Sequence, residues 1–142
     1  MKIDGACHCG DITYEAEIDP ERVVICHCTD CQTLSGTAFR TAVAVPGKAF
    51  RILTGKPREY LKRAETGADR VQAFCPVCGT QIYAADPGDS AFYFVRAGTA
   101  RQRAELIPRL QVWCRSRLSW LDDLAAIPSV DTQPPIARLG RE

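Results

Sequence analysis

Residues 75–79 read Cys-Pro-Val-Cys-Gly, and residues 7–10 read Cys-His-Cys-Gly. Each stretch holds two cysteines one or two residues apart, followed directly by a glycine. This arrangement is typical of a zinc knuckle, a tight turn from which two thiolates reach one metal ion, and the glycine lets the backbone fold back beneath the metal. Since one knuckle supplies two ligands, we expect both stretches to share a closed structural zinc site on Cys7, Cys9, Cys75 and Cys78.

A third cluster, residues 26–31, reads Cys-His-Cys-Thr-Asp-Cys and leaves only Cys114 outside the clusters. A zinc ion held by three protein ligands keeps one position for water or substrate, which is the pattern of catalytic zinc sites. We therefore expect a second, open zinc site on Cys26, Cys28 and Cys31.

Spacing alone leaves other partitions open. Cys26 or Cys28 could pair with a knuckle, and the three-thiol cluster could be metal-free, redox-active or closed by a fourth ligand. The eight cysteines would also permit four disulfides, but clustered cysteines in a chain without a secretory signal indicate metal ligands first. Cys114 is expected to be a small buried apolar residue.

Three polar residues near the third cluster are candidates for supporting roles. His27 lies between two ligands and should point away from the metal, but it could serve as a proton shuttle, so we count it among the catalytic residues. Asp30 is a second candidate proton carrier. Arg40 could offset the negative charge of three thiolates, although we expect it on a solvated strand face.

Composition excludes several classes of function. The chain has 142 residues, a formal net charge of +1 and no run of five like charges, so it lacks the basic patch expected of a nucleic-acid or anionic-membrane protein. Its first residues do not resemble a signal peptide, and no apolar stretch is long enough to span a membrane. We expect a cytoplasmic protein with small-molecule partners, and a homodimer is one assembly that the sequence allows.

Short alternating or β-branched runs bounded by turn residues indicate a mainly β fold. Helical turns are expected only at residues 30–34 and 119–124, and we place the domain boundary at 127, with a Pro-containing tail over 128–142. The predicted strands cover residues 12–18, 23–25, 39–45, 50–54, 70–74, 81–84, 91–95 and 110–113.

Three motifs in this order resemble the glutathione-dependent formaldehyde-activating enzyme (GFA) family, which includes the centromere protein V group. The likeness runs from Gly5 to about Leu124. It is carried by Gly-Ala-Cys-His-Cys-Gly at 5–10, Cys-His-Cys-Thr-Asp-Cys-Gln at 26–32 and Phe-Cys-Pro-Val-Cys-Gly-Thr at 74–80, with a weaker echo at 95–99 and 108–120.

The resemblance implies a single domain of several coiled antiparallel β-sheets held together by zinc. It implies two zinc ions per chain, one structural on the paired knuckles and one more labile on Cys26, Cys28 and Cys31. The implied activity is that of a carbon–sulfur lyase similar to S-(hydroxymethyl)glutathione synthase, which joins glutathione and formaldehyde or acts on a related thiol and small aldehyde.

The sequence departs from the family pattern at two places that we expect to line the pocket. Residues 98–101 read Gly-Thr-Ala-Arg, without the acidic residue common there, and Gln111 stands where a histidine is frequent. Two rival functions remain: a non-catalytic zinc module that binds a protein or nucleic acid, and a thiol redox protein using Cys28 and Cys31.

Overall fold

Ten β-strands dominate the computed structural model, which describes residues 1–135. All eight predicted strands are present, so the mainly β prediction is confirmed. The two additional strands lack a clear apolar alternation, because β1 is interrupted by Gly5 and β6 is a largely exposed polar strand. The strands are β1 (Lys2–Ala6), β2 (Thr13–Glu17), β3 (Val23–Cys26), β4 (Arg40–Pro46), β5 (Phe50–Thr54), β6 (Arg58–Arg63), β7 (Asp69–Phe74), β8 (Gln81–Ala85), β9 (Phe92–Arg96) and β10 (Leu110–Val112).

The strands form two sheets. Three strands make the smaller sheet in the order β1-β2-β5, and seven make the larger in the order β10-β3-β4-β9-β8-β7-β6. Neighbouring strands are antiparallel except for β10, which pairs in parallel with β3. The connection from β9 to β10 therefore returns the chain to the edge beside β3, where the third cysteine cluster begins.

The hydrophobic core is built by both sheets. Tyr14 from the small sheet and Val43 and Val95 from the large one are fully buried, and each valine stabilises the fold by about 1.5–3 kcal/mol relative to an exposed side chain. The ring of Phe50 stacks on Tyr93, with ring centres 4.8 Å apart, and meets Tyr83 edge-on. Cys7 and Cys75, the first cysteine of each knuckle, are buried within the same core.

Helical structure is short. Both predicted helical turns are present, but the expectation that they are the only ones is wrong, since further 3-10 turns occur at Pro20–Arg22, Gly47–Ala49, Ala97–Thr99, Arg103–Glu105 and Cys114–Ser116. Helix α1 (Thr29–Ser35) begins at Cys28, whose sulfur accepts a hydrogen bond from the backbone of Cys31, and ends at Gly36 in the left-handed conformation. A 3-10 helix covers Ser119–Ala126. No helix in the described part of the chain is long and apolar enough to cross a membrane.

The predicted tail is only partly described. Residues 128–135 contain neither helix nor strand, while the remaining tail residues, 136–142, lie outside the described residues. The domain boundary at residue 127 stays a prediction.

Candidate metal centres and the adjoining cavity

The two knuckles adopt equivalent turns. The backbone N–H of Cys7 donates to the carbonyl of Ile12 at 3.0 Å, and the backbone N–H of Cys75 donates to the carbonyl of Thr80 at 2.9 Å. Gly10 and Gly79 have φ values of 85° and 77°, a left-handed conformation that a glycine adopts without strain. Both glycines thus allow the backbone to fold back, as the sequence predicted.

A hydrogen bond from the backbone joins the two turns. The backbone N–H of His8 donates to the hydroxyl oxygen of Thr80 at 3.0 Å, so the first knuckle is held against the second even though the two lie far apart in sequence. The imidazole of His8 is exposed.

Four sulfur atoms converge where the knuckles meet. Cys9 Sγ lies 3.6 Å from Cys7 Sγ and 3.8 Å from Cys75 Sγ, and all four sulfurs, including that of Cys78, lie within 4.8 Å of one another. Zinc–sulfur bonds of about 2.3 Å in a tetrahedron place the sulfurs about 3.8 Å apart. The donor set and its spacing therefore fit a closed zinc site, with two ligands buried and two exposed.

The second cluster joins the end of a strand to the start of a helix. Cys26 ends β3, Cys28 caps α1, and Cys31 lies in the first turn of that helix. Their three sulfurs also lie within 4.8 Å of one another. No fourth cysteine, histidine, aspartate or glutamate of residues 1–135 joins them, so this donor set fits a metal ion with one position left for a non-protein ligand.

Arg40 corrects an expectation from the sequence. The side chain was expected on a solvated strand face, yet it is only 8% exposed. Its Nη2 donates to Cys31 Sγ at 3.2 Å, and its Nη1 donates to Gln81 Oε1 at 2.7 Å. The register of β3 and β4 explains this position, because Arg40 stands directly opposite Cys26 on the same face of the sheet.

The thiols of this cluster differ in acidity. The hydrogen bond with the Cys26 thiol and the charge of the Arg40 guanidinium lower the pKa of Cys31 to about 5, against the effect of burial. The same contact with Cys31, together with burial, raises the pKa of Cys26. Without metal, the cluster therefore holds its first negative charge on Cys31, beside the arginine.

A cavity of about 300 Å³ opens beside the three cysteines on one face of the seven-stranded sheet. Its floor is made of residues that stand opposite each other across neighbouring strands, such as Ala42 with Arg96 and Ala84 with Phe94. The two alanines leave room that larger side chains would fill. The lining consists of Val24, Cys26, Cys28, Cys31, Arg40, Ala42, Lys62, Ala64, Thr66, Arg70, Gln72, Ala84, Phe94, Arg96, Val112 and Trp113.

His27 and Gln111 form a pair beside the cluster. His27 is fully buried, and its Nε2 lies 2.7 Å from Gln111 Oε1, a contact in which the ring nitrogen must donate. The backbone N–H of His27 bonds to Val112 at 3.0 Å, and Gln32 bonds to the carbonyl of His27 at 2.9 Å. Neither His27 nor Gln111 is among the described residues that line the cavity.

The remaining predicted residues lie apart from the cysteine sulfurs. Asp30 is half-exposed and pairs with Lys62 Nζ at 2.8 Å. Cys114 is exposed, so the prediction that it is buried is wrong; it begins a 3-10 turn directly after Trp113, whose φ of 58° turns the chain outward. Ala100 and Arg101 do not line the cavity in the described chain, contrary to expectation.

Sequence reasoning missed the basic residues of the cavity. Lys62, Arg70 and Arg96 come from three different strands, and none lies in a recognisable motif. Each stands at a position whose side chain faces the same side of the sheet as Cys26, but that alignment depends on strand order and register, which the sequence did not predict. From the sequence, only the alternation of side chains along each strand could have indicated which residues of that strand share a face.

Comparisons with known proteins agree with this arrangement. Residues 2–116 match the model of the family described as glutathione-dependent formaldehyde-activating enzyme. The fold is similar to a crystal structure of a Rhodobacter sphaeroides protein, with a TM-score of 0.59 and 19% identity over 77% of this chain and 99% of that one. No curated protein matches significantly. Since the family model spans most of the chain, including both knuckles and the three-cysteine cluster, the chain belongs to the glutathione-dependent formaldehyde-activating enzyme family.

Proposed function

We propose that this protein is a zinc-dependent carbon–sulfur lyase that joins a thiol to a small aldehyde or cleaves the adduct, with glutathione and formaldehyde as the reactants that its family suggests. One observation carries the proposal: a cluster of three cysteines, without a fourth protein ligand in residues 1–135, opens on a cavity. A metal site used only for stability has no need of an adjoining cavity or an open position.

The two clusters would divide the work. The four-sulfur site, remote from the cavity lining, would hold a structural zinc that ties the N-terminal segment to β7 and β8. The three-sulfur site would hold the second zinc, whose open position can bind a substrate thiol and favour its thiolate form. Cys26, Cys28 and Cys31 are the ligands we assign to it.

The reaction forms one bond and moves one proton. The thiol sulfur attacks the carbonyl carbon, the carbon–sulfur bond forms as the carbon–oxygen double bond becomes single, and the proton lost by the thiol ends on the carbonyl oxygen. No oxidant or reductant is needed. The reverse reaction cleaves the adduct into thiol and aldehyde.

The protein's own groups would favour this reaction in three ways. Arg40 stabilises negative charge on Cys31 through its hydrogen bond. The apolar walls of the cavity, among them Phe94, Val112 and Trp113, exclude water from the bound reactants. The cavity also holds both reactants in one small volume, which lowers the entropic barrier to their encounter.

The position of His27 favours a supporting role over proton transfer. Its imidazole is buried against Gln111 and Phe39, away from the cavity lining. Its backbone N–H and carbonyl are bonded to Val112 and Gln32. We propose that His27 holds the loop between Cys26 and Cys28 in place, and that water or Lys62 at the cavity wall carries the proton.

The direct test is an assay of glutathione with formaldehyde, following the adduct by NMR. Wild-type protein should accelerate both the formation and the exchange of the adduct. Cys28→Ser should lose this acceleration, whereas Cys114→Ser should retain it because Cys114 lies outside both clusters. A wild-type rate equal to the uncatalysed background, with zinc bound, would refute the proposal.

The same assay separates the rival functions. If zinc binds but no thiol or aldehyde reacts, a non-catalytic zinc module is the better description, and if Cys28 and Cys31 cycle between thiol and disulfide, a redox protein is. The cytoplasmic location and the homodimer stay predictions from the sequence.

A further inference from the structure

Arg96 is a buried cation that forms no hydrogen bond to an anionic group of the described chain. Its side chain lines the cavity and is only 8% exposed. Its guanidinium donates to two neutral oxygens, Gln72 Oε1 at 2.9 Å and the backbone carbonyl of Phe94 at 3.3 Å. The third nitrogen, Nε, has no hydrogen-bond partner among residues 1–135.

The other three cations of the cavity are all balanced. Lys62 pairs with Asp30 at 2.8 Å, and Arg70 pairs with Asp86 while its guanidinium lies over the ring of Phe94. Arg40 is bonded to Cys31. Arg96 forms no ion pair within the described residues, and none of its hydrogen bonds there reaches a cysteine. Cys31 and Cys26 attract it through space, without a hydrogen bond.

A buried charge without a hydrogen-bonded counter-ion is costly to a fold, because the interactions it gains do not replace the hydration it has lost. Burial, with the nearby guanidinium groups of Arg40 and Arg70, lowers the pKa of Arg96 to about 9 against the attraction of Cys31 and Cys26, so it still carries its charge at neutral pH. A methionine or leucine would fill the same space without this cost. An arginine kept here indicates a ligand group that neutralises it.

The location of Arg96 limits what that group can be. Arg96 stands directly opposite Ala42, one step along the same sheet face from Arg40 and the cysteine cluster. At about 300 Å³ the cavity lies at the small end of ligand-binding sites. The guanidinium fork matches a carboxylate, with which it can form two parallel hydrogen bonds.

We propose that the guanidinium of Arg96 binds a carboxylate carried by one of the two reactants, such as a carboxylate of glutathione, and holds that acidic group within this cavity. The inference rests on the proposed function, since it places the reacting sulfur at the neighbouring cysteines. It makes Arg96 the residue that selects an acid over an uncharged thiol or aldehyde of the same size.

Calorimetry on the zinc-loaded protein tests the thiol as the source of the carboxylate. The probes are 3-mercaptopropionate and 2-mercaptoethanol, which share a thiol and differ mainly in the carboxylate. A charge-assisted hydrogen-bond pair corresponds to about a 10- to 100-fold preference for the acid. Arg96→Met should abolish the preference and Arg96→Lys should restore part of it. Arg70→Met removes the same formal charge from the cavity wall but should keep the preference.

A second arm tests the carbonyl compound as the source. Adduct formation is followed by NMR with 2-mercaptoethanol and either glyoxylate or formaldehyde, in wild type and Arg96→Met. A preference for glyoxylate that Arg96→Met removes supports the proposal with the aldehyde as the acid. If Arg96→Met does not fold, as judged by circular dichroism and zinc content, the wild-type preferences and Arg96→Lys decide.

The outcomes separate this inference from the proposed function. The role of Arg96 is overturned if wild type shows no preference for the acid over the neutral probe in either arm. It is also overturned if the preference survives in Arg96→Met. Turnover of formaldehyde would then leave the lyase function standing. Conversely, a carboxylate preference without any adduct formation would retain the binding site and overturn the function.

Discussion

Arg40 donates one hydrogen bond to Cys31 Sγ at 3.2 Å and a second to Gln81 Oε1 at 2.7 Å. The two clusters are thereby linked, because Gln81 begins β8 three residues after the knuckle cysteine Cys78. A cation bonded to a thiolate disperses its negative charge, which should leave a metal ion held by that thiolate a stronger Lewis acid. Arg40 thus acts on the three-cysteine cluster without belonging to it.

Replacing Arg40 by glutamine should lower kcat/KM for adduct formation while the zinc content stays unchanged. The three sulfur ligands remain, but the hydrogen bond to a charged sulfur is lost, which corresponds to about 10- to 100-fold in rate. Arg40→Lys retains the charge but cannot reach Cys31 and Gln81 with one rigid fork, so it should recover only part of the rate. Steady-state kinetics with zinc quantified on each sample checks this, and an unchanged rate in Arg40→Gln would contradict it.

Gln81→Ala should reproduce a milder form of the Arg40 defect. The amide of Gln81 accepts from Arg40 and donates to the carbonyl of Leu34 at the end of α1, so its removal takes a part-buried hydrogen-bond partner from both Arg40 Nη1 and the Leu34 carbonyl. The expected loss of unfolding free energy is about 1–3 kcal/mol. Urea unfolding measures it, and kinetics should show a lower kcat/KM. Gln102→Ala is the matched control, because Gln102 bonds to Asp4 and neither residue lines the cavity.

The two cysteine clusters should differ in how they hold zinc. A closed four-sulfur site contributes on the order of 10 kcal/mol to folding, so Cys78→Ser, with three sulfurs left, should unfold at much lower urea concentration. Cys28→Ser should lose one zinc ion and change the unfolding midpoint far less. Metal analysis of wild type should give two zinc ions per chain, one of which a chelator removes first. A single zinc, with the three thiols of Cys26, Cys28 and Cys31 titrating freely beside that of Cys114, would contradict the two-site assignment.

Much of the fold was predictable because its determinants are local. Strands β3, β4 and β9 are continuous β-branched or alternating runs, and a glycine after each knuckle fixes the turn whatever surrounds it. The grouping of the knuckle cysteines was also predictable, because one knuckle supplies two ligands and a closed zinc site needs two more.

The parts that could not be predicted depend on strands that are distant in sequence. The burial of Arg40 follows from its register opposite Cys26, and the cavity takes its basic residues from three further strands. The parallel pairing of β10 with β3 decides that Trp113 lines the cavity while Cys114 turns away. None of these relations leaves a signature within a single stretch of sequence.

The last prediction concerns the contact of Tyr14, in the smaller sheet, with Thr99, in the 3-10 turn that follows β9. The buried hydroxyl of Tyr14 lies 2.8 Å from the Thr99 hydroxyl, which in turn donates to the backbone carbonyl of Arg96 at 2.7 Å. Tyr14→Phe removes only the first bond and should reduce the unfolding free energy by about 1 kcal/mol. Thr99→Val leaves both the tyrosine hydroxyl and the carbonyl unpaired, so it should cost more, about 1–3 kcal/mol.

A double-mutant cycle in urea tests whether these bonds form one chain. If they do, Thr99→Val should cost less in the Tyr14→Phe background than in wild type, because the tyrosine hydroxyl that it would strand is already gone. Additive effects would show that the contact between the two hydroxyls contributes nothing of its own. Because the Thr99 hydroxyl fixes the end of β9, Thr99→Val should also weaken binding of 3-mercaptopropionate, whereas Tyr14→Phe, which leaves the bond to the Arg96 carbonyl intact, should not.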